Sequence, residues 1–121
     1  MASSFGNELL RLGACDILQF FEVVSEAQEY FGIKDATYLY DVIQDELTSL
    51  LAERLILMGY LGVGAGMLIV VPWPGCVETV VERAISEWKA LNRTPSWDDI
   101  CWLGLTAKGH LAALEIIWHP F

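Results

Sequence analysis

Residues 55–71, LILMGYLGVGAGMLIVV, carry no charged side chain, and Tyr60 is the one hydrogen-bonding polar side chain among them. The run sits at the lower length limit for a membrane-spanning helix. Four glycines (Gly59, Gly62, Gly64 and Gly66) interrupt it and Pro72 follows directly, so a spanning helix is disfavoured and no membrane association is expected. The run reads instead as a helix end closed by Gly59, a glycine-rich turn, and a strand over residues 67–71. That strand is a β-branched, apolar segment between Gly66 and the turn Pro72, Trp73, Pro74, Gly75.

Upstream of this run, a long third helix starts after Asp35, an N-cap residue, and its periodicity continues to about residue 58. Leu39, Val42, Ile43, Leu47, Leu50, Leu51, Arg54 and Leu55 trace its buried side and border. Opposite them Asp41, Gln44, Asp45 and Thr48, at i, i+3, i+4 and i+7, form one polar, acidic stripe. Earlier still, a helix over residues 5–12 stops at Gly13, a short extended piece spans residues 16–18, and a second helix covers residues 20–31. The second helix places Phe20, Val23, Val24, Ala27, Tyr30 and Phe31 on one face and Glu22, Glu26 and Glu29 on the other, and Gly32 ends it. Downstream, Val77, Val80, Val81, Ala84, Ile85 and Trp88 mark the core side of a helix over residues 76–91. A strand over residues 100–105 follows, and Thr106 caps a last helix over residues 107–116.

The expected fold is therefore α+β and mostly helical, with about five helices and a small antiparallel sheet in one domain over residues 1–121. The order of elements resembles a winged helix-turn-helix domain. Leu57, Met58, Gly59, Tyr60, Leu61 is similar to the apolar-Gly-apolar entry into the wing, and Leu105, Thr106, Ala107, Lys108, Gly109 is similar to the Leu-Thr-x-x-Gly step that leaves it. The helix over residues 76–91 is then an insertion between wing strands. The resemblance implies a third helix that enters the major groove of DNA, with basic residues holding the flanking phosphates. Here the corresponding stripe carries Asp41, Gln44 and Asp45. Carboxylates facing phosphate cost Coulomb energy and release no counterions, so the residues oppose what the resemblance implies. DNA binding through the wing and Arg54, Arg83 or Arg93 is the second reading.

Charge points to a different partner. The 121 residues hold seven Lys and Arg against sixteen Asp and Glu, a net charge of −9. Residues 1–53 hold ten of the acids and two of the bases, net −8. This lopsided field steers a cationic partner toward the first half of the chain. Cys15, Cys76 and Cys101 are an odd number at wide spacing and read as reduced, mostly buried thiols. Residues 1–7 lack a basic and apolar leader pattern, so the expected location is cytoplasmic.

No enzyme chemistry is legible. His110 and His119 stand beside no nucleophile motif, and Gly62-x-Gly64-x-Gly66 lacks the Lys and Ser/Thr of a phosphate loop. The glutamate trio of the second helix reads as a solvated face, so neither metal nor cofactor is expected. Among five tryptophans, Trp88 and Trp102 read as core. Trp73, in a Pro-Trp-Pro turn, and Trp97, beside Asp98 and Asp99, are the candidate exposed anchors for Lys or Arg of a partner. Partner-binding residues are thus expected to be Asp41, Gln44, Asp45, Glu46, Trp73, Trp97, Asp98 and Asp99. The expected role is to neutralise a basic, nuclease-like protein in the manner of an immunity protein or antitoxin, and the apolar excess also admits a homodimer.

Overall fold

The computed structural model describes residues 4–118. Its elements run α1 (Ser4–Cys15), β1 (Leu18–Gln19), α2 (Phe20–Phe31), a 3-10 turn (Ala36–Leu39), α3 (Tyr40–Ala52), β2 (Ile56–Gly64), β3 (Met67–Pro72), α4 (Val77–Leu91), β4 (Trp102–Leu105) and α5 (Ala107–Trp118). The fold is α+β and mostly helical, as expected, and the four strands form one antiparallel sheet in the order β1-β4-β2-β3.

The boundaries expected for α2 hold to the residue, and those of α4 and β3 to within one. The third helix does not. It ends at Ala52, not near residue 58, because the chain enters a left-handed turn at Arg54 (φ 60°). Leu55 N–H donates to Leu50 O at 2.9 Å and Arg54 N–H to Leu51 O at 3.0 Å, the paired bonds of a Schellman motif, with Leu55 as its apolar closing residue. Glycine normally takes that left-handed position, and arginine gives no sequence signal for it. Helix α5 then covers the exposed carbonyls: Lys108 Nζ donates to Glu53 O at 2.9 Å, and Thr106 Oγ1 donates to Arg54 O. The same hydroxyl accepts from Gly109 N–H at 3.0 Å, so Thr106 is the expected cap of α5.

The residues read as helix end and glycine turn are a nine-residue strand. β2 and β3 pair from Gly59↔Pro72 to Gly64↔Met67 around the two-residue loop Ala65, Gly66. Both loop residues have positive φ, 51° and 77°, the type I′ pattern whose twist suits a hairpin. Gly59 therefore closes no helix. It lies within β2 where a Cβ would stand 1.9 Å from Val71 O, so only glycine lets the strands approach there. Gly13 likewise ends no helix; α1 continues through it to Cys15, with Leu105 packed on it.

The core draws on the sheet and all five helices, and it is built on Phe20, Ile43, Leu47, Met58, Leu103 and Trp88, with Ala113 contributed by α5. Trp88 is central: Phe20 meets it edge-on at 5.6 Å and Tyr40 at 4.4 Å. Three apolar residues expected on buried faces stand exposed, namely Tyr30, Phe31 and Val42. Tyr30 and Phe31 instead form an aromatic cluster with Phe5 at the end of α2. The thiols are unpaired, but Cys15 and Cys76 are exposed and only Cys101 is buried. Among the described residues no helix is long and apolar enough to cross a membrane.

Relieving the left-handed strain has a defined sign. Arg54→Gly and Ala65→Gly are each expected to raise stability by about 0.5–1 kcal/mol, the strain removed exceeding the backbone entropy added. Gly59→Ala is expected to lower it by more than about 2 kcal/mol. Urea titration of the three variants checks both directions.

Candidate functional site

Helix α3 carries its stripe outward. Asp41, Gln44 and Asp45 are exposed, as their spacing predicts, and Thr48 is half-buried. The helix Tyr40–Ala52 contains no basic residue. Glu46 departs from expectation: it is half-buried, with one carboxylate oxygen out of solvent contact, so it belongs to the border of the packed face. The sequence reading missed the aromatic member of this surface. Tyr38, on the 3-10 turn that leads straight into α3, is 75% exposed, and Val42 beside Asp41 is exposed as well. An exposed aromatic ring thus stands just before the helix, and an exposed isopropyl group sits between the two aspartates in sequence. The 3-10 turn hides this, since Tyr38 precedes the α-helical register. It is fixed by Asp35, whose carboxylate accepts from Thr37 N–H at 3.0 Å and Thr37 Oγ1 at 2.8 Å.

The second surface is the loop over residues 96–100. Asp98 and Ile100 both have positive φ, 60° and 71°, an unfavourable backbone state for an aspartate and more so for a β-branched residue. A dense set of bonds holds it. One Asp99 carboxylate oxygen accepts from Ser96 N–H (2.8 Å), Ser96 Oγ (3.1 Å) and Arg93 Nη1 (2.8 Å). Asp98 N–H donates to the buried Gln19 Oε1 at 2.7 Å, and Asp98 Oδ1 accepts from Trp102 Nε1 at 3.2 Å. The product is Trp97, 72% exposed and braced edge-on by Trp102 at 6.0 Å. Asp98 and Asp99, expected to receive a partner's cation, thus have internal work: they position Trp97.

A cleft of about 180 Å³ lies between the turn that precedes α3 and the segment that follows α4. Asp35, Thr37 and Tyr40 line one side, Asn92, Arg93 and Thr94 the other, and Trp88 is also part of the wall. The Arg93 to Asp99 ion pair links the far wall to the Trp97 loop.

Trp73 is a correction. It is 3% exposed, and no partner residue can reach it as an anchor. The Arg83 guanidinium lies over its ring at 3.8 Å while donating to Glu87 at 2.9 Å and Tyr60 Oη at 3.2 Å. The Pro-Trp-Pro turn folds the indole inward as the floor for this cation. Two of the three arginines available to a DNA reading, Arg83 and Arg93, are therefore already bonded within the chain. Among the described residues no cluster of His, Cys, Asp and Glu could hold a metal ion. Glu22 of the trio accepts from Gln19 N–H at 3.0 Å at the start of α2. His110 is exposed, and His119 lies outside the described residues. Comparison with models of known protein families, with curated proteins and with solved structures returns no match.

The Asp99 network gives a pH signature. Its carboxyl is held down at about 2, chiefly by the Arg93 bond and then by Ser96 N–H, against an ordinary value of 3.8. A lowered folded value means stability that is complete above about pH 4 and lost as the pH falls toward 2. Asp99→Asn is expected to be less stable at neutral pH and to show a flatter acid limb between pH 4 and 2. Thermal unfolding of both proteins across that range, followed by circular dichroism, checks it.

Proposed function

We propose that this chain is a small, non-enzymatic binding domain, winged-helix-like in architecture, that uses the outer face of α3 and the Trp97 loop to take a basic protein. The observation that carries the reading is the composition of the α3 face: Asp41 and Asp45 exposed, no basic residue on the helix, and Tyr38 and Val42 alongside. Carboxylates steer and orient a cationic surface, and a desolvated aromatic anchor supplies much of the affinity. Trp97 fits the anchor role because its loop is already fixed, so little ordering entropy is lost on binding. An inhibitor of the immunity-protein or antitoxin kind is the concrete form, with acidic residues occupying a cleft built for phosphate. Three unpaired thiols support a reducing, cytoplasmic setting.

The second reading, a winged-helix DNA-binding regulator, is favoured by one observation. β1, β4 and β2 lie side by side with β3 outside them, and β3 and α4 together fall between β2 and β4 in the chain, which is compatible with a wing that carries an insertion. Kinship with that family and an acidic recognition helix are compatible, since fold does not dictate ligand.

Immobilised full-length chain, exposed to nuclease-treated cytoplasmic extract at about 50 mM salt, is expected to retain one basic protein. About 300 mM salt weakens that retention, because exposed charge contacts are screened. Asp41→Lys with Asp45→Lys abolishes it, and Trp97→Ala weakens it about thirty-fold, roughly 2 kcal/mol. Retention unchanged in the double lysine variant contradicts the reading. A fluorescent duplex bound by the wild type at 50 mM salt, with no protein retained, favours the regulator instead.

A further inference from the structure

The β2–β3 hairpin is apolar on both faces. Tyr60, Met67, Ile69 and Val71 are exposed on one side, and Leu61, Val63 and Leu68 on the other. Residues 55–77 contain no charge.

The outer edge of β3 is also open. A two-residue loop makes Gly64 and Met67 a hydrogen-bonded pair, so Met67, Ile69 and Val71 bond inward to β2. The bond from Trp73 N–H to Met58 O at 2.9 Å continues that alternation. Leu68 and Val70 therefore direct N–H and C=O away from β2, and no hydrogen bond among the described residues reaches them. β3 carries none of the usual protections of an edge strand; it has no lysine, no bulge, and its one proline is terminal. Beside it lies an open groove of about 550 Å³, bounded by Met67, Leu68, Ile69 and Val70 and, across from them, residues 13–17.

We infer that β3 pairs antiparallel with β3 of a second copy of this chain, about a two-fold axis at Ile69, to make a continuous eight-stranded sheet. In this register Leu68 of each copy exchanges hydrogen bonds with Val70 of the other, Ile69 faces Ile69, and Met67 faces Val71. Two observations select a second copy as the occupant. The pairing is self-complementary, as an isologous interface requires. The hairpin is also a charge-free surface on which two chains of net charge −9 meet without opposing their carboxylates. A lipid surface fits less well, because no lysine or arginine lies in residues 55–77 to hold the headgroups. The inference does not rest on the acidic face of α3.

Sedimentation equilibrium of the full chain at 1–100 μM, orders of magnitude that span common dimer affinities, is expected to show twice the monomer mass of 13.5 kDa. Ile69→Glu and Ile69→Lys, each placing like charges directly opposite, are expected to weaken association at least 100-fold. An equimolar mixture of the two restores a dimer, a rescue that a misfolded hairpin cannot give. Val63→Glu, an equal charge on the same hairpin away from the axis, leaves the dimer intact. A wild-type monomer at 100 μM overturns the proposal, as does a failed rescue between variants whose circular dichroism matches the wild type. A monomer that floats with phosphatidylcholine vesicles also overturns it and assigns the hairpin to lipid.

Discussion

Four residues, Trp102 to Leu105, hold the two halves of the chain together. β4 pairs with β1 on one side and β2 on the other, so that Leu103 aligns with both Leu18 and Met58. This places the α1–α2 layer and the hairpin on one sheet and closes the core over Phe20 and Trp88. Gly104 adds a second condition, because Val70 packs where its side chain would be, with 3.0 Å to the nearest atom of a would-be Cβ. The hairpin can thus curl back toward β4 while its distal half projects into solvent. The Trp97 loop enters this same strand, and its unfavourable backbone is held by Gln19, the last residue of β1.

Legibility followed the strength of the local signal. Helix α2 was readable to its ends because Gly32 supplies the left-handed turn (φ 68°) and the apolar spacing is regular. α4 was readable for the same reason, with Asn92 as its left-handed cap. α3 uses an equivalent stop at Arg54, a residue that carries no turn signal, and its end was misplaced by six residues (58 against 52). β2 was lost with it. Strand alternation shows only when one face is polar, and here both faces of the hairpin are apolar.

The candidate site was half legible. Spacing alone placed Asp41, Gln44 and Asp45 on one outer face, and flanking turn residues identified Trp97 as exposed. What was not legible depended on side-chain contacts that helix and strand spacing do not encode. Trp73 is buried by an arginine ten residues later, and the carboxylates of Asp98 and Asp99 are taken by Trp102 and Arg93. Tyr38 was overlooked because a 3-10 turn precedes the α-helical register. The exposed side chains that remain are Asp41 and Asp45 on α3, Tyr38 just before it and Trp97 on its own loop. The charge-free hairpin is a chemically separate surface, so an acidic face for one partner and an apolar edge for another copy can coexist on one small domain.

The most direct test of the acidic face is a heteronuclear NMR titration of the full chain with a short arginine-rich peptide, at about 150 mM salt to screen diffuse attraction. The account predicts saturable shifts concentrated in the amides of residues 38–45 and in the Trp97 indole, and none on adding a DNA duplex. Shifts spread over the glutamates of α2 with Trp97 unmoved, or a duplex that perturbs α3, would contradict it.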